Sequence, residues 1–181
     1  RAIATNDDFF APKSNLVKPE PAIFIPGKYT SKGKWMDGWE SRRRRDGGHD
    51  AAIVMLGLRG VIRLIDLDTS YFTGNFPPQA SVEATDDADP LKPDVRWTML
   101  LSRSPLQGNR HNLFPIENGD SWRFLRLNIF PDGGIARLRV WGEVSPDWDK
   151  IGTRRIDLFA LVWSGQRISL MIAVRIRIAT A

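Results

Sequence analysis

The residues best suited to chemistry lie in one short segment, residues 34–50, with the sequence KWMDGWESRRRRDGGHD. It combines two tryptophans, several carboxylates, four consecutive arginines and one of the two histidines of the chain. Arginine binds anionic groups through a planar fork of donors, and histidine titrates nearest to neutral pH. The segment is too polar for a buried strand and lacks a helical period. It therefore predicts a polar site on a loop, with a solvated or phosphate-binding arginine patch as the alternative.

Strand-length apolar runs separated by loops rich in glycine and proline surround this segment. Residues 61–68 alternate in polarity, which predicts a strand that places Asp66 and Asp68 on one face, and residues 58–60 predict a turn before it. The two carboxylates either belong to a site or cap neighbouring loop amides. Residues 122–130 and 136–144 predict two further strands. The Pro-Asp-Gly-Gly sequence between them predicts a hairpin.

Many short strands with almost no helical periodicity predict an all-β fold, an antiparallel β-sandwich or jelly roll. In the strand at 122–130, Arg126 and Asn128 should share one face, opposite Leu125 and Leu127. Loops at one end of a sandwich lie close together. We therefore expect segment 34–50, the Gly74-Asn75 loop and the His111 loop to converge.

The composition is that of an ordinary globular domain. The 181 residues suit one domain with a tail, and 42% are hydrophobic and 26% charged. The chain has no cysteine, which excludes disulfides and thiolate chemistry and predicts a reducing, cytoplasmic compartment. No run of about 18 apolar residues is present, so neither a membrane-spanning helix nor a membrane partner is predicted. Because Arg1 stands in place of a start methionine, we expect the sequence to begin inside a longer polypeptide.

The basic charge is compatible with nucleic acid or with a small anion as ligand. The formal net charge is +5 and the isoelectric point is near 9.9. However, the arginines are concentrated at 42–45 and in the C-terminal tail, whereas nucleic-acid binders more often spread basic residues along one face with interleaved aromatics. We therefore predict a small-molecule partner and no nucleic acid.

Five segments together resemble the allantoicase family. They are residues 9–16 (FFAPKSNL), 33–50, 53–84, 100–114 (LLSRSPLQGNRHNLF) and 126–144 (RLNIFPDGGIARLRVWGEV), and they follow the order of the family's pattern. The resemblance implies a galactose-binding-like jelly roll, two such repeats per chain and assembly into homo-oligomers. It also implies hydrolysis of allantoate to ureidoglycolate and urea, a step of purine (allantoin) degradation.

The sequence departs from the family pattern in two places. Residues 1–148 predict one repeat, and residues 149–181 predict a linker and a truncated or divergent start of a second repeat. In this last part, residues 155–165 resemble the opening of a repeat, but residues 166–181 do not continue the pattern. Ala51 stands where the family pattern usually has tryptophan, which would remove an aromatic wall of the site. The alternatives to an active enzyme are therefore a non-catalytic jelly-roll module that binds small ligands, or an inactive fragment of a two-repeat enzyme.

The resemblance also implies a chemistry for individual residues. Allantoate carries a carboxylate and two ureido groups on one carbon, so its site needs a guanidinium, amide partners and an acid–base pair to break a C–N bond. The predicted catalytic residues are Glu40, His49 and Asp50. The predicted substrate-binding residues are Trp39, Arg42, Asn75, His111, Arg126, Asn128 and Arg137. For the two histidines the alternative is a loop-ordering hydrogen bond, and for Trp39 it is packing.

A metal is left unassigned by the sequence. No pair of histidines at helical spacing and no cysteine are present, so a dedicated zinc site is not predicted. His49, Asp50 and His111 with a further carboxylate could gather around a manganese-like ion, which accepts mixed nitrogen and oxygen ligands. No other cofactor is predicted.

Overall fold

The computed structural model describes residues 1–145, so the predicted start of a second repeat lies outside the described residues. The strands are β1 Ala2–Thr5, β2 Tyr29–Thr30, β3 Gly33–Lys34, β4 Trp39–Glu40, β5 Asp50–Asp68, β6 Gln79–Thr85, β7 Thr98–Pro105, β8 His111–Pro115, β9 Ser121–Phe130, β10 Gly134–Ile135 and β11 Arg137–Val144. One 3-10 helix spans Lys13–Val17. Within these residues, no helix has the length and apolar character needed to cross a membrane. The all-β prediction is confirmed.

Strand β5, 19 residues long, connects the two layers of the fold. Its N-terminal part pairs with β1 and β9, and its C-terminal part pairs with β8 and β11, all antiparallel. Strands β6 and β7 extend the first layer in the order β1-β5-β9-β6-β7. The loops that leave β5 and β9 therefore start from strands of one sheet, whereas β4 pairs with β10 in a separate two-stranded sheet.

The predicted turn at 58–60 is wrong, because these residues continue β5 through an irregularity in register between Met55 and Gly60. Gly60 pairs with Trp122 of β9 and with Val144 of β11. A Cβ atom at Gly60 would lie 2.6 Å from the carbonyl oxygen of Glu143. The glycine therefore allows a close approach of two backbones within a bulged strand.

The predicted hairpin is also wrong. Strand β9 pairs with β5 and β6, whereas β11 pairs with β5, so the two strands lie beside different parts of the same partner. Their connection contains a cis peptide bond at Phe130-Pro131 and Gly133 with a φ of 135°. It also contributes β10, which pairs with β4. Both strands run antiparallel to β5, so long-range pairing, and not the turn residues, determines the partner strand.

The hydrophobic core follows the alternation of side chains along the strands. Leu125, Leu127 and Ile129 of β9 are fully buried, and they pack with Ile65 and Leu67 of β5. Arg126 and Asn128 share the opposite face of β9, as predicted; Arg126 is partly exposed and Asn128 is buried. Each buried aliphatic side chain contributes about 1.5–3 kcal/mol of hydrophobic stabilisation. The core therefore supplies a rigid support for the loops at the ends of the strands.

Candidate functional site

A cleft of about 680 Å³ lies where the segment after β4, the loop before β6 and the β9–β10 connection meet. Its polar lining consists of Glu40, Arg43, Arg44, Arg45, Asn75 and Asp132. The volume falls within the range of about 300–1,000 Å³ that is usual for small-ligand sites. A hollow beside the β5 bulge has only about 60 Å³. The structure thus brings together two of the three predicted loops; the His111 loop does not line this cleft.

Glu40 is held rigidly at the cleft by the backbone of β4. Its N–H donates to the carbonyl oxygen of Ala11 at 3.1 Å, and β4 pairs with β10. The side-chain amide of Asn75 donates a 2.6 Å hydrogen bond to the Glu40 carboxylate. Burial raises the pKa of Glu40, and the bond from Asn75 offsets part of this effect. A carboxyl group with a raised pKa is suited to general acid–base catalysis.

The four consecutive arginines divide into two pairs. Arg42 forms an ion pair of 2.7 Å with Asp7 and lies over the ring of Phe9, so this predicted substrate-binding residue is turned away from the cleft. Arg44 is bound to carboxylates of its own loop. Arg43 and Arg45 are exposed at the cleft, and within residues 1–145 neither forms an ion pair. Arg43 and Arg45 belong to the arginine run that the sequence indicated as part of a polar site, but Arg42 was the member predicted to bind substrate.

Two predicted site residues are buried and do not line the cleft. Trp39 is fully buried, and its indole N–H donates to the carbonyl oxygen of Asp7 at 2.8 Å. This placement contradicts a substrate-binding role and supports the packing alternative. Asp50 is also fully buried, and its Oδ1 accepts a 2.6 Å bond from Arg44. Its Oδ2 has no hydrogen-bond partner among the described residues, so Asp50 is unlike a catalytic base exposed to substrate.

Neither histidine lines the cleft. His49 is exposed, with its ring 4.7 Å from that of Phe130. Nδ1 of His111 lies 2.6 Å from Oδ2 of the buried Asp66, and this bond raises the pKa of His111.

The suggested manganese-like cluster is not formed. Over residues 1–145, no group of three or more His, Cys, Asp or Glu side chains is placed to hold a metal ion.

Arg137 is a structural residue, which corrects its predicted role in substrate binding. The side chain is fully buried. Its five N–H groups donate to the carbonyl oxygens of Glu20, Pro21, Asp37 and Ala136 and to the carboxylate of Asp37, the last at 2.6 Å. No donor remains for a ligand. Arg137 therefore fastens the N-terminal coil to β11.

The other two predicted residues, Arg126 and Asn128, belong to a polar cluster on the outer face of the first layer. Both donate 2.8 Å hydrogen bonds to Oε2 of Glu83. Burial raises the pKa of Glu83, but these two bonds outweigh it and leave the pKa lowered. Ala51 pairs with Asn128 on this strand pair, so an aromatic side chain at position 51 would not line the cleft. We call this group the outer-face cluster.

The sequence of this chain matches a known protein family and several curated relatives. The family model for the allantoicase repeat matches residues 1–145. A probable allantoicase of Burkholderia mallei is 48% identical over 163 residues, which cover 89% of this chain and 48% of that protein. This chain therefore spans about half the length of the curated relatives it matches.

Solved structures show the same relationship. The structure described as that of allantoicase matches with a TM-score of 0.72 and 29% identity, covering 81% of this chain and 46% of that one. CBM32-3, from a family 31 glycoside hydrolase of Clostridium perfringens, matches with a TM-score of 0.55 and 15% identity over 78% of this chain and 89% of that chain. The second likeness concerns the fold alone. Together they confirm the predicted galactose-binding-like jelly roll.

Proposed function

We propose that this chain, which belongs to the allantoicase family, hydrolyses allantoate to ureidoglycolate and urea at the cleft beside Glu40. The match covers 48% of the length of the relative from Burkholderia mallei. The observation that carries it is the placement of Glu40, a carboxyl group with a raised pKa, in a cleft with cationic side chains. This combination suits an anionic substrate that needs a proton donor.

Arg43 and Arg45 are proposed to bind the carboxylate of allantoate. A guanidinium can donate two parallel hydrogen bonds to a carboxylate, which fixes both the position and the orientation of a small ligand. Asn75 holds Glu40 through a 2.6 Å bond and lines the same cleft. We expect this bond to aim the Glu40 carboxyl group at one ureido nitrogen of the substrate.

The proposed reaction balances with Glu40 as both acid and base. Protonated Glu40 donates its proton to the ureido nitrogen, the bond from this nitrogen to the central carbon breaks, and urea leaves. A water molecule then forms a C–O bond to the central carbon, and the Glu40 carboxylate accepts the proton that this water loses. Glu40 ends in its starting state, and the product carries a hydroxyl group where urea was attached.

The test is release of urea from allantoate by the purified 181-residue chain. We expect urea above the uncatalysed background, and Glu40→Gln should lower the rate by about 10²–10⁴-fold, the usual contribution of a general acid–base group. Circular dichroism of the variant should be unchanged, because glutamine can still accept the bond from Asn75. Wild-type chain that releases no urea would reject the proposal.

The outer-face cluster is the second location considered for the reaction, because it contains the predicted residues Arg126 and Asn128 bound to one carboxylate. Glu83→Gln separates the two locations. If the cleft is the site, turnover depends on Glu40 and is retained in Glu83→Gln; the opposite result would move the site to the outer face.

A non-catalytic ligand-binding module is the second candidate function, because a jelly roll with a cleft of ligand size can bind a small anion without catalysing a reaction. It predicts a rise in melting temperature with allantoate but no urea, because ligand binding to the folded state stabilises it without turnover. Self-association into a homo-oligomer and a cytoplasmic location are retained as proposals from the family resemblance and from the cysteine-free sequence.

A further inference from the structure

We propose that Asp50 and Arg44 form a positioning pair that aims Arg43 and Arg45 into the cleft, and that Asp50 acts only through this pair. This inference rests on the proposed function of the cleft. It assigns Asp50, a predicted catalytic residue, a role in ordering the anion-binding arginines.

The arginine run shows an alternating arrangement. Arg42 and Arg44 are bound to carboxylates of the protein, whereas Arg43 and Arg45 are exposed at the cleft. Arg44 lines the same cleft, but its guanidinium is bound to carboxylates of the loop. Because Arg44 lies between Arg43 and Arg45, fixing its side chain limits the movement of the backbone that carries both neighbours.

Four of the five N–H groups of the Arg44 guanidinium are bound. Nε and Nη2 donate to the two carboxylate oxygens of Asp46 at 2.9 and 2.7 Å. Nη1 donates to Oδ1 of Asp50 at 2.6 Å and to the carbonyl oxygen of His49 at 3.0 Å. Such bidentate and charge-assisted bonds fix the plane of a guanidinium. The side chain is thus held at both edges.

The loop of residues 46–49 packs closely against the Arg44 guanidinium. A Cβ atom at Gly48 would lie 3.2 Å from both Nε and Nη2 of Arg44, so the glycine lets the loop pack against it. The N–H of Gly48 donates to Asp46 at 3.0 Å. On its other side, the backbone N–H of Arg44 donates to Asp132 at 2.8 Å, which ties the run to the β9–β10 connection.

The burial of Asp50 makes the loss of its ion pair with Arg44 energetically unfavourable. Its side chain is 1% exposed, and within the described residues Oδ2 has no partner, so Arg44 supplies its side-chain ion pair. A buried carboxylate that loses its cation is strongly destabilised. By contrast, Asp46 is 61% exposed and would be solvated without Arg44. The buried partner therefore determines where Arg44 stays.

The experiment compares Asp50→Asn with Asp86→Asn in the full chain. Asp86 is a matched control because it also pairs with an arginine, Arg59, at 2.9 Å, and it does not line the cleft. We expect Asp50→Asn to raise KM for allantoate about tenfold and to leave kcat within about twofold, because misplacing a binding group by about 1 Å can cost up to about 10²-fold. Asp86→Asn should leave both constants unchanged. A fall in kcat at constant KM would overturn the proposal and restore a catalytic role for Asp50.

Hydrogen exchange measures the positioning itself and needs no activity. Residues 41–49 should exchange faster in Asp50→Asn than in the wild type, while Asp86→Asn should match the wild type there. Equal protection in Asp50→Asn would overturn the proposal, even if the wild type neither binds nor hydrolyses allantoate, a result that would reject the proposed function alone. If Asp50→Asn fails to fold, Arg44→Lys provides the same two measurements, because lysine retains the charge but loses the bidentate geometry.

Discussion

Glu40 and Asn75 form a short side-chain contact whose effect on proton transfer can be measured directly. Burial raises the pKa of Glu40, and the hydrogen bond from Asn75 lowers it in part. The proposed acid step needs protonated Glu40, so the rate of urea release should fall as pH rises through this raised pKa.

The first prediction concerns the pH profile of Asn75→Ala. Removing the bond from Asn75 takes away the lowering contribution, so the pKa of Glu40 should rise further. The alkaline limb of kcat should therefore move to higher pH in Asn75→Ala, and it should be absent in Glu40→Gln. A limb that stays in place in Asn75→Ala would contradict the assignment of this limb to Glu40.

The second prediction concerns His111 and the stability of the fold. The bond from Asp66 raises the pKa of His111 above its ordinary value of 6.5, and burial raises the pKa of Asp66. The groups that face this pair are Asp68 and Arg139. A raised pKa contributes stability that is complete below the unfolded value and is lost as pH rises through the folded value.

His111→Gln should therefore remove a pH dependence as well as stability. The wild type should lose stability relative to His111→Gln as pH is raised upward from about 6.5, the ordinary histidine value. Urea denaturation at pH 6 and pH 8.5 measures the difference in the free energy of unfolding between the two proteins. If the stability advantage of the wild type over His111→Gln grew with rising pH instead, the Asp66–His111 pair would not be ionised as proposed.

Strand β11 shows how one buried side chain fixes a long coil. Arg137 uses all five donors on residues 20–21, 37 and 136, and Lys18 also pairs with Asp37 at 2.8 Å. Asp37 precedes β4, so the clamp holds the strand that ends in Glu40. The position of Glu40, the proposed catalytic residue, thus depends on an arginine that does not line the cleft.

The third prediction tests this clamp. Arg137→Met should lower the free energy of unfolding by about 3–5 kcal/mol, because it leaves Asp37 buried with fewer partners. Arg139→Met is the matched control: it lies on the same strand and donates to carbonyl oxygens of residues 18–20, but it is half-buried and pairs with no carboxylate there. Denaturant unfolding should show a much smaller loss for Arg139→Met, and equal losses would reject the clamp.

Several aromatic side chains are exposed on the N-terminal coil and on the loop between β5 and β6. Tyr29 is 70% exposed, and the exposed rings of Phe24 and Tyr71 stack with centroids 5.8 Å apart. Exposed apolar surface of this kind is often covered by another molecule. It is compatible with the homo-oligomer that the family resemblance implies.

The fourth prediction is a species larger than the 20.5 kDa chain in sedimentation experiments. Phe24→Ser should shift the population toward the monomer if the aromatic surface lies in the contact. Leu91→Ser is the control, since Leu91 is 58% exposed but belongs to the acidic loop between β6 and β7. A single species of 20.5 kDa at all concentrations would contradict self-association.

Much of the fold follows from local sequence patterns. Alternation along β9 correctly predicted that Leu125 and Leu127 share one face and that Arg126 and Asn128 share the other. The turn signal at 131–134 lies at the end of β9 as predicted, but the hairpin predicted from it is not formed. These features are local, because the identity of each side chain decides which face of a strand it can occupy.

The sequence by itself determined the family and the all-β class, and it predicted two of the segments that line the cleft, the one after β4 and the Gly74-Asn75 loop. Only the tertiary structure decided that Asp50 points inward and pairs with Arg44, that Arg43 and Arg45 rather than Arg42 face the cleft, and that Arg137 is a clamp. An arginine or aspartate has the same local signature in each of these roles. What separates the roles is the partner brought near by distant segments, and that depends on how the strands pack and pair.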